Sequence, residues 1–246
     1  MTGVQTCALP IYGMGFHSVS ESLARINAAG AAFHAELEKC AADWLSKGKK
    51  LVTVGGDHSV SLGPIRALAS RRSFSVLHID AHADLRVSYE GFEHSHASIM
   101  HHVKEIPAVR SLVQVGLRDV SPDEASEIAR NPKISAFFDW EIRRATALGE
   151  SWSRQCQRIV ERLEENVYLS LDIDGLDPRY CPGTGTPVPG GLEMWELFFL
   201  LEEVERSGRR FVGADLVEVA PSNGSEWDAN VGARLLFQIC QFLRDK

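Results

Sequence analysis

The chain has 246 residues, 44% of them apolar and 24% charged, with 26 Lys and Arg against 33 Asp and Glu for a net charge of −7. That composition excludes disorder, collagen and coiled coil, and the length suits one large α/β core better than two small domains. The acidic balance, with no dense Lys/Arg run, argues against nucleic acid or an anionic membrane as partner and suits a small cationic one.

The most apolar run of the body, Met194–Leu201, is interrupted by Glu196 and is far shorter than the roughly 20 residues that span a bilayer. Five cysteines (Cys7, Cys40, Cys156, Cys181 and Cys240) are odd in number, widely spaced and never paired as CxxC. They suggest neither a disulfide framework nor a zinc ribbon, and point to a reducing cytoplasm. Residues 1–15 make a poor signal peptide and match no periodic pattern, so they read as a leader foreign to the fold, with 16–246 as a single domain truncated at its start.

In chain order, Val19–Lys47 carries apolar residues at three-to-four spacing and predicts a long helix ending near Gly48. A β-branched run, Leu51–Val54, ends at Gly55-Gly56, and a helix follows over Ser61–Ser70. Further strands are predicted at Ser75–Asp80, Ser111–Gly116, Ile134–Phe138, Val167–Asp172 and Phe211–Leu216. Helices are predicted at His96–Lys104, Pro122–Ala129, Ser151–Glu165, Glu193–Ser207 and Asp228–Arg244. Apolar strands alternating with helices imply a three-layer α/β/α domain around a mainly parallel sheet, in which ligands bind at the carboxyl ends of the strands.

Four segments put polar groups at those ends: Gly55-Gly56-Asp57-His58-Ser59, Asp80-Ala81-His82-Ala83-Asp84, Ser170-Leu171-Asp172-Ile173-Asp174-Gly175, and Asp215-Leu216-Val217-Glu218. Extended backbone turns residues i, i+2 and i+4 to one side, so Asp80, His82 and Asp84 converge, as do Asp172 and Asp174. With His58 this makes two imidazoles and four carboxylates. Carboxylates so crowded repel one another unless cations lie among them, and oxygen ligands with a minority of imidazole and no thiolate suit Mn²⁺. His78 lies inside the apolar run and reads as a satisfied core histidine, while His94, His101 and His102 read as solvated or helix-surface residues.

In combination the GGDHS, DAHAD and SLDIDGLDP motifs resemble the ureohydrolase family of arginases and agmatinases, over about Gly48 to Leu243. The resemblance implies an arginase-like fold and two Mn²⁺ per chain. His58, Asp80, Asp84 and Asp172 would hold one ion and Asp80, His82, Asp172 and Asp174 the other, with Asp80 and Asp172 bridging. It implies hydrolysis of a guanidinium group to urea and an amine. In that reaction Asp84 would orient the attacking hydroxide, Glu218 would pair with the guanidinium and His96 would shuttle protons.

The segments Asp84-Leu85-Arg86 and Pro182-Gly183-Thr184-Gly185-Thr186-Pro187 resemble the agmatinase branch, which makes agmatine, cleaved to putrescine and urea, the expected substrate. Arg86 near the pocket mouth keeps a guanidino acid such as guanidinobutyrate open. Gly183, Gly185, Gly190 and Gly191 read equally as substrate contacts or as turn residues. The family also leads one to expect a trimer or hexamer. Its usual additional N-terminal strand finds no counterpart here, so the sheet is expected to lack an edge strand. A catalytically silent metal-binding subunit, or a metal-dependent deacetylase on a related sheet, are the competing readings.

Overall fold

The computed structural model describes residues 16–221 and 224–244; the leader read at residues 1–15 lies outside them. Six strands form one sheet: β1 (Val52–Val54), β2 (Phe74–Ile79), β3 (Val109–Leu117), β4 (Ile134–Phe138), β5 (Asn166–Asp172) and β6 (Arg210–Val217). Their order is β1-β6-β5-β2-β3-β4, and every pairing is parallel. The mainly parallel sheet expected from the apolar runs is therefore present, with β1 and β4 at its edges among the described residues.

Helices cover both faces, which is why the strands are apolar on both sides. The first face is packed by α2 (Leu62–Ala69), α3 (Ile99–Glu105) and α4 (Pro122–Arg130), through Leu62, Ile65, Met100 and Val103 against Val76, Leu112 and Tyr168, and α1 (Phe16–Ser46) lies against α2. The second is packed by α5 (Asp139–Ala147), α6 (Trp152–Val160), α7 (Met194–Arg206) and α8 (Trp227–Phe242), through Ile159, Leu200 and Leu235 against Leu77, Val113 and Leu169. No helix of the described residues is long and apolar enough to cross a membrane.

Two elements depart from expectation. Helix α5 was not legible: only Asp139 and Ile142 of its nine residues are buried and Trp140 is 74% exposed, so it has no amphipathic repeat to read. Helix α6 stops at Val160 rather than Glu165, because the next carbonyls are taken from outside the helix, Arg162 by the Ser111 hydroxyl and Leu163 by the Arg209 guanidinium.

Two properties of this sheet position the site. Chain connections run one way from β2 to β3 and the other way from β5 to β6, so the neighbours β5 and β2 flank a switch point, where a crevice opens at the carboxyl ends. Below it, the strand register lines up Thr53, Asp215, Ser170, His78 and Gln114 in one lateral row across β1, β6, β5, β2 and β3. Asp80, just past the end of β2, and Asp172, the last residue of β5, stand two residues beyond His78 and Ser170 of that row and on the same face.

Candidate metal centre

Each ligand candidate lies at or beyond the carboxyl end of a strand. His58 opens a 3-10 turn after β1, with the Asp57 side chain capping the Ser59 amide. Asp80, His82 and Asp84 follow β2, Asp172 ends β5, and Asp174 lies in the next 3-10 turn. That turn presses against the end of β2 at Gly175, where a Cβ would lie 2.7 Å from the Asp80 nitrogen and 2.9 Å from the Ile79 carbonyl carbon. The Gly in IDGLDP is thus what brings the two Asp segments together.

All six predicted ligands gather there. His58 Nδ1 stands 3.2 Å from Asp80 Oδ2, 3.2 Å from Asp84 Oδ2 and 3.3 Å from Asp172 Oδ2. His82 Nδ1 stands 3.1 Å from Asp174 Oδ2 and 3.4 Å from Asp80 Oδ1. Asp80 therefore turns one oxygen to each imidazole group. Asp172 turns Oδ2 to His58 and accepts the Asp174 amide on Oδ1 at 2.9 Å. Candidate donor atoms fall within 4.8 Å of one another in two sets, His58, His78, Asp80 and Asp84 in one and Asp80, His82 and Asp174 in the other.

The surroundings of His58 test whether these residues suit a cation. The Ser170 hydroxyl donates to Asp215 at 2.9 Å, so at 2.8 Å it accepts from His58 Nε2–H. That fixes the tautomer and leaves Nδ1 as a lone pair. Nδ1 is buried without a hydrogen-bond partner, yet faces three carboxylate oxygens. A lone pair aimed at anions is repulsive unless a cation sits between them, and an imidazole oriented by a hydrogen bond from its other nitrogen is the usual form of a histidine metal ligand. The four buried carboxylates carry a charge that two divalent ions would cancel. The donor set fits a metal pair.

The titration behaviour of the bare side chains reports the same demand for positive charge. For the bare side chains, burial disfavours charging His58, but the close carboxylates of Asp172, Asp80 and Asp84 outweigh it and raise its pKa well above the usual value. His82, likewise opposed by burial, is pushed up to about 11 by Asp174 and Asp80. Burial and the neighbouring Asp80 raise Asp84, Asp172 and Asp174.

Glu218 follows β6, in left-handed backbone with φ 61°. Its Oε1 accepts the His58 amide at 2.9 Å, which binds it to the same cluster. Burial raises its pKa, while the His58 amide and the charge of the nearby His96 pull it down. His96 opens the 3-10 turn before α3 and meets the Tyr89 ring edge-on, 5.9 Å between centroids. Arg86 is exposed, lies 3.8 Å from Glu124 and covers the Tyr89 ring. In the glycine loop, Gly190 and Gly191 are turn residues at φ 104° and 96°, whereas Gly185 lies open beside Glu218 Oε2.

Sequence reasoning missed the layer underneath. Ser170, Asp215 and Gln114 hold the ligands or their neighbours, and each is a lone polar residue inside an apolar strand. His78 is buried and satisfied at both nitrogens, as expected, but one partner is Asp80 itself, at 2.7 Å. Arg118 was also missed; its guanidinium donates to the carbonyls of Asp174, Leu176 and Val188 and so fixes the loop after β5.

The sequence profile described as "Arginase family" matches residues 7–241. The chain belongs to the arginase family. Within it, the chain is 31% identical over 239 residues to N(1)-aminopropylagmatine ureohydrolase of Synechocystis sp., covering 96% of this chain and 72% of that protein. It is 33% identical over 202 residues to agmatinase of Bacillus subtilis, covering 78% of this chain and 63% of that one. The solved structure of proclavaminate amidino hydrolase from Streptomyces clavuligerus superposes with a TM-score of 0.74 at 27% identity, over 85% of this chain and 69% of that chain. The arginase-like fold is thus shared, although the chain spans only 63 to 72% of the length of these two curated relatives.

Proposed function

We propose that the chain is a binuclear manganese amidinohydrolase that cleaves agmatine to putrescine and urea. The observation that carries this reading is the His58 lone pair, held by Ser170 and Asp215 and aimed into three carboxylates. His58, Asp80, Asp84 and Asp172 would hold one ion, and Asp80, His82, Asp172 and Asp174 the other. Two bound divalent ions supply Lewis acidity that brings the pKa of water toward neutrality, so that it can attack a planar guanidinium carbon.

The chain's own groups do the rest. Glu218 binds the guanidinium: its Oε1 is tied to the His58 amide while Oε2 faces the open space at Gly185, so it can accept two charge-assisted N–H bonds. A half-buried carboxylate whose pKa is raised by burial is stabilised in its ionised form by a cationic ligand, which suits a guanidinium in particular. Asp84, buried within the cluster, would orient the attacking water and help pass its proton to the departing nitrogen. His96, beside Glu218, carries protons between this site and solvent.

The substrate's tail is the finer choice. Arg86, the group that could greet a carboxylate, lies toward Glu124 and over the Tyr89 ring, an arrangement that favours an amine-ended substrate over guanidinobutyrate. Relatives named for agmatine and for its N(1)-aminopropyl derivative share that amine end. We further propose polyamine synthesis in the cytoplasm as its setting and a trimer or hexamer as its assembly, both resting on the family resemblance.

The test is urea release by the Mn²⁺-loaded protein from agmatine, N(1)-aminopropylagmatine, guanidinobutyrate and arginine, with metal content measured on the same sample. Fastest turnover of agmatine is expected. Two bound ions without urea from any of the four would favour the silent-subunit reading instead. Replacing Glu218 by Ala should abolish urea release with both ions still bound, and a fall in metal content would show that Glu218 was misplaced.

A further inference from the structure

Two buried histidines flank Asp80, with ring centroids 5.1 Å apart, and both fall among the donors that could hold an ion. Their hydrogen bonds give them opposite polarity. His58 offers a lone pair to the cluster, because Ser170 takes its Nε2–H. His78 offers an N–H. Its Nε2 donates to Asp80 Oδ2 at 2.7 Å, and its Nδ1 accepts from the Gln114 amide at 2.9 Å.

The orientation of Gln114 is forced. Its Nε2 also donates to the Ala83 carbonyl at 2.8 Å, and a flipped amide would set oxygen against oxygen there. This orientation leaves Gln114 Oε1 buried with no partner, a cost that an ordinary core would avoid. The register supports the relay: Gln114 and His78 are direct cross-strand neighbours on β3 and β2, in the same lateral row as the Ser170 and Asp215 that hold His58.

We infer that His78, braced by Gln114, is a positioning residue for Asp80 and not a metal ligand, an inference that rests on the metal centre proposed above. Each oxygen of Asp80 then carries one fixed N–H, Oδ2 from His78 and Oδ1 from the His82 amide at 2.6 Å. A carboxylate oxygen has two lone pairs, so one remains free on each. Oδ2 is turned toward His58 and Oδ1 toward His82, as a carboxylate shared between two ions requires. The relay therefore fixes the carboxylate plane before any ion arrives.

The test uses the full chain with Mn²⁺ alone, free ion being read by electron paramagnetic resonance, and compares His78→Leu with His78→Gln, whose amide can still donate. His78→Leu should saturate with as many ions as the parent but bind them about 10- to 100-fold more weakly, the usual effect of losing a partner of a metal ligand. His78→Gln should restore most of the affinity, which a merely space-filling role would not predict. Gln114→Met, which keeps length and volume but loses both donors, gives a second reading if His78→Leu does not fold, and should weaken binding at unchanged stoichiometry.

Unchanged affinity in His78→Leu and Gln114→Met would overturn the inference. Loss of one ion at saturating Mn²⁺, with a changed absorption spectrum in the Co²⁺-substituted protein, would make His78 a ligand and overturn it equally. A parent chain that binds no Mn²⁺ would remove the metal centre itself, a failure distinct from either.

Discussion

A single methyl group at Gly175 should separate the two halves of the centre. In Gly175→Ala the new Cβ would meet the Asp80 nitrogen at 2.7 Å, the Ile79 carbonyl carbon at 2.9 Å and the Asp80 Cα at 3.0 Å, all backbone atoms within or just after a central strand. Ordinary contact begins at 3.4 Å, so the turn carrying Asp174 must retreat by about 3.4 − 2.7 = 0.7 Å. Overpacking of this kind costs about 1–3 kcal/mol. Alanine recovers about 0.4–1 kcal/mol by restricting the unfolded chain, since Gly175 does not need a positive φ. The two ranges leave a net loss of about 0–2.6 kcal/mol, which for a chain of this size lowers Tm by up to about 10 °C. Metal sites tolerate only about 0.2 Å in ligand distance, so Mn²⁺ affinity should fall as well. Thermal unfolding followed by circular dichroism, with Mn²⁺ titration of the same sample, measures both. A variant with unchanged Tm and unchanged Mn²⁺ affinity would refute the account of how β2 and β5 are brought together.

Replacing Ser170 by Ala removes the acceptor of His58 Nε2–H and strands Asp215 on its remaining donors; Mn²⁺ affinity should drop about 10- to 100-fold with the fold intact, as read by equilibrium dialysis. His34 on α1 provides a pH prediction remote from the metal. Burial, then the neighbouring His94 and Arg66, lower its pKa from 6.5 to about 4. The unfolded chain therefore takes up the proton first as pH falls, so stability is full above 6.5 and declines by up to about 3 kcal/mol on the way to pH 4. Urea denaturation at pH 7 and pH 4.5 should show the decline, and His34→Leu should flatten it; equal slopes in parent and variant would reject the assignment.

Both the strands and the ligands were legible because each obeys a short period. A parallel strand buried on both faces is a continuous apolar run, and the polar residues that close it sit at the strand end where function gathers. Asp80, His82 and Asp84 could be read this way, as could Asp172 and Asp174. The supporting row was not, although its signal was present: Gln114 in Ser-Leu-Val-Gln-Val, Ser170 before Leu-Asp, and Asp215 in Gly-Ala-Asp-Leu each interrupt an apolar run two or more residues before the strand ends. A lone polar residue there has no obvious meaning until the register shows that it stands beside another. Arg86 illustrates the opposite limit, since nothing local to it announces Glu124, which comes from α4. Helix α5 fell outside the periodic signals because it lies on the surface with almost nothing to bury.

The left-handed backbone of Asp84 and Glu218, at φ 54° and 61°, has a consequence for how this protein can change over evolutionary time. Among the described residues only Glu90 shares that conformation without being glycine. Such a position costs of order 1 kcal/mol or more for a side chain with a Cβ, and Glu tolerates it less readily than Asp. A glycine at either position would relax the backbone and make the fold sturdier while deleting a carboxylate from the pocket. Selection for thermal endurance alone would therefore drift toward an inert protein at these two codons.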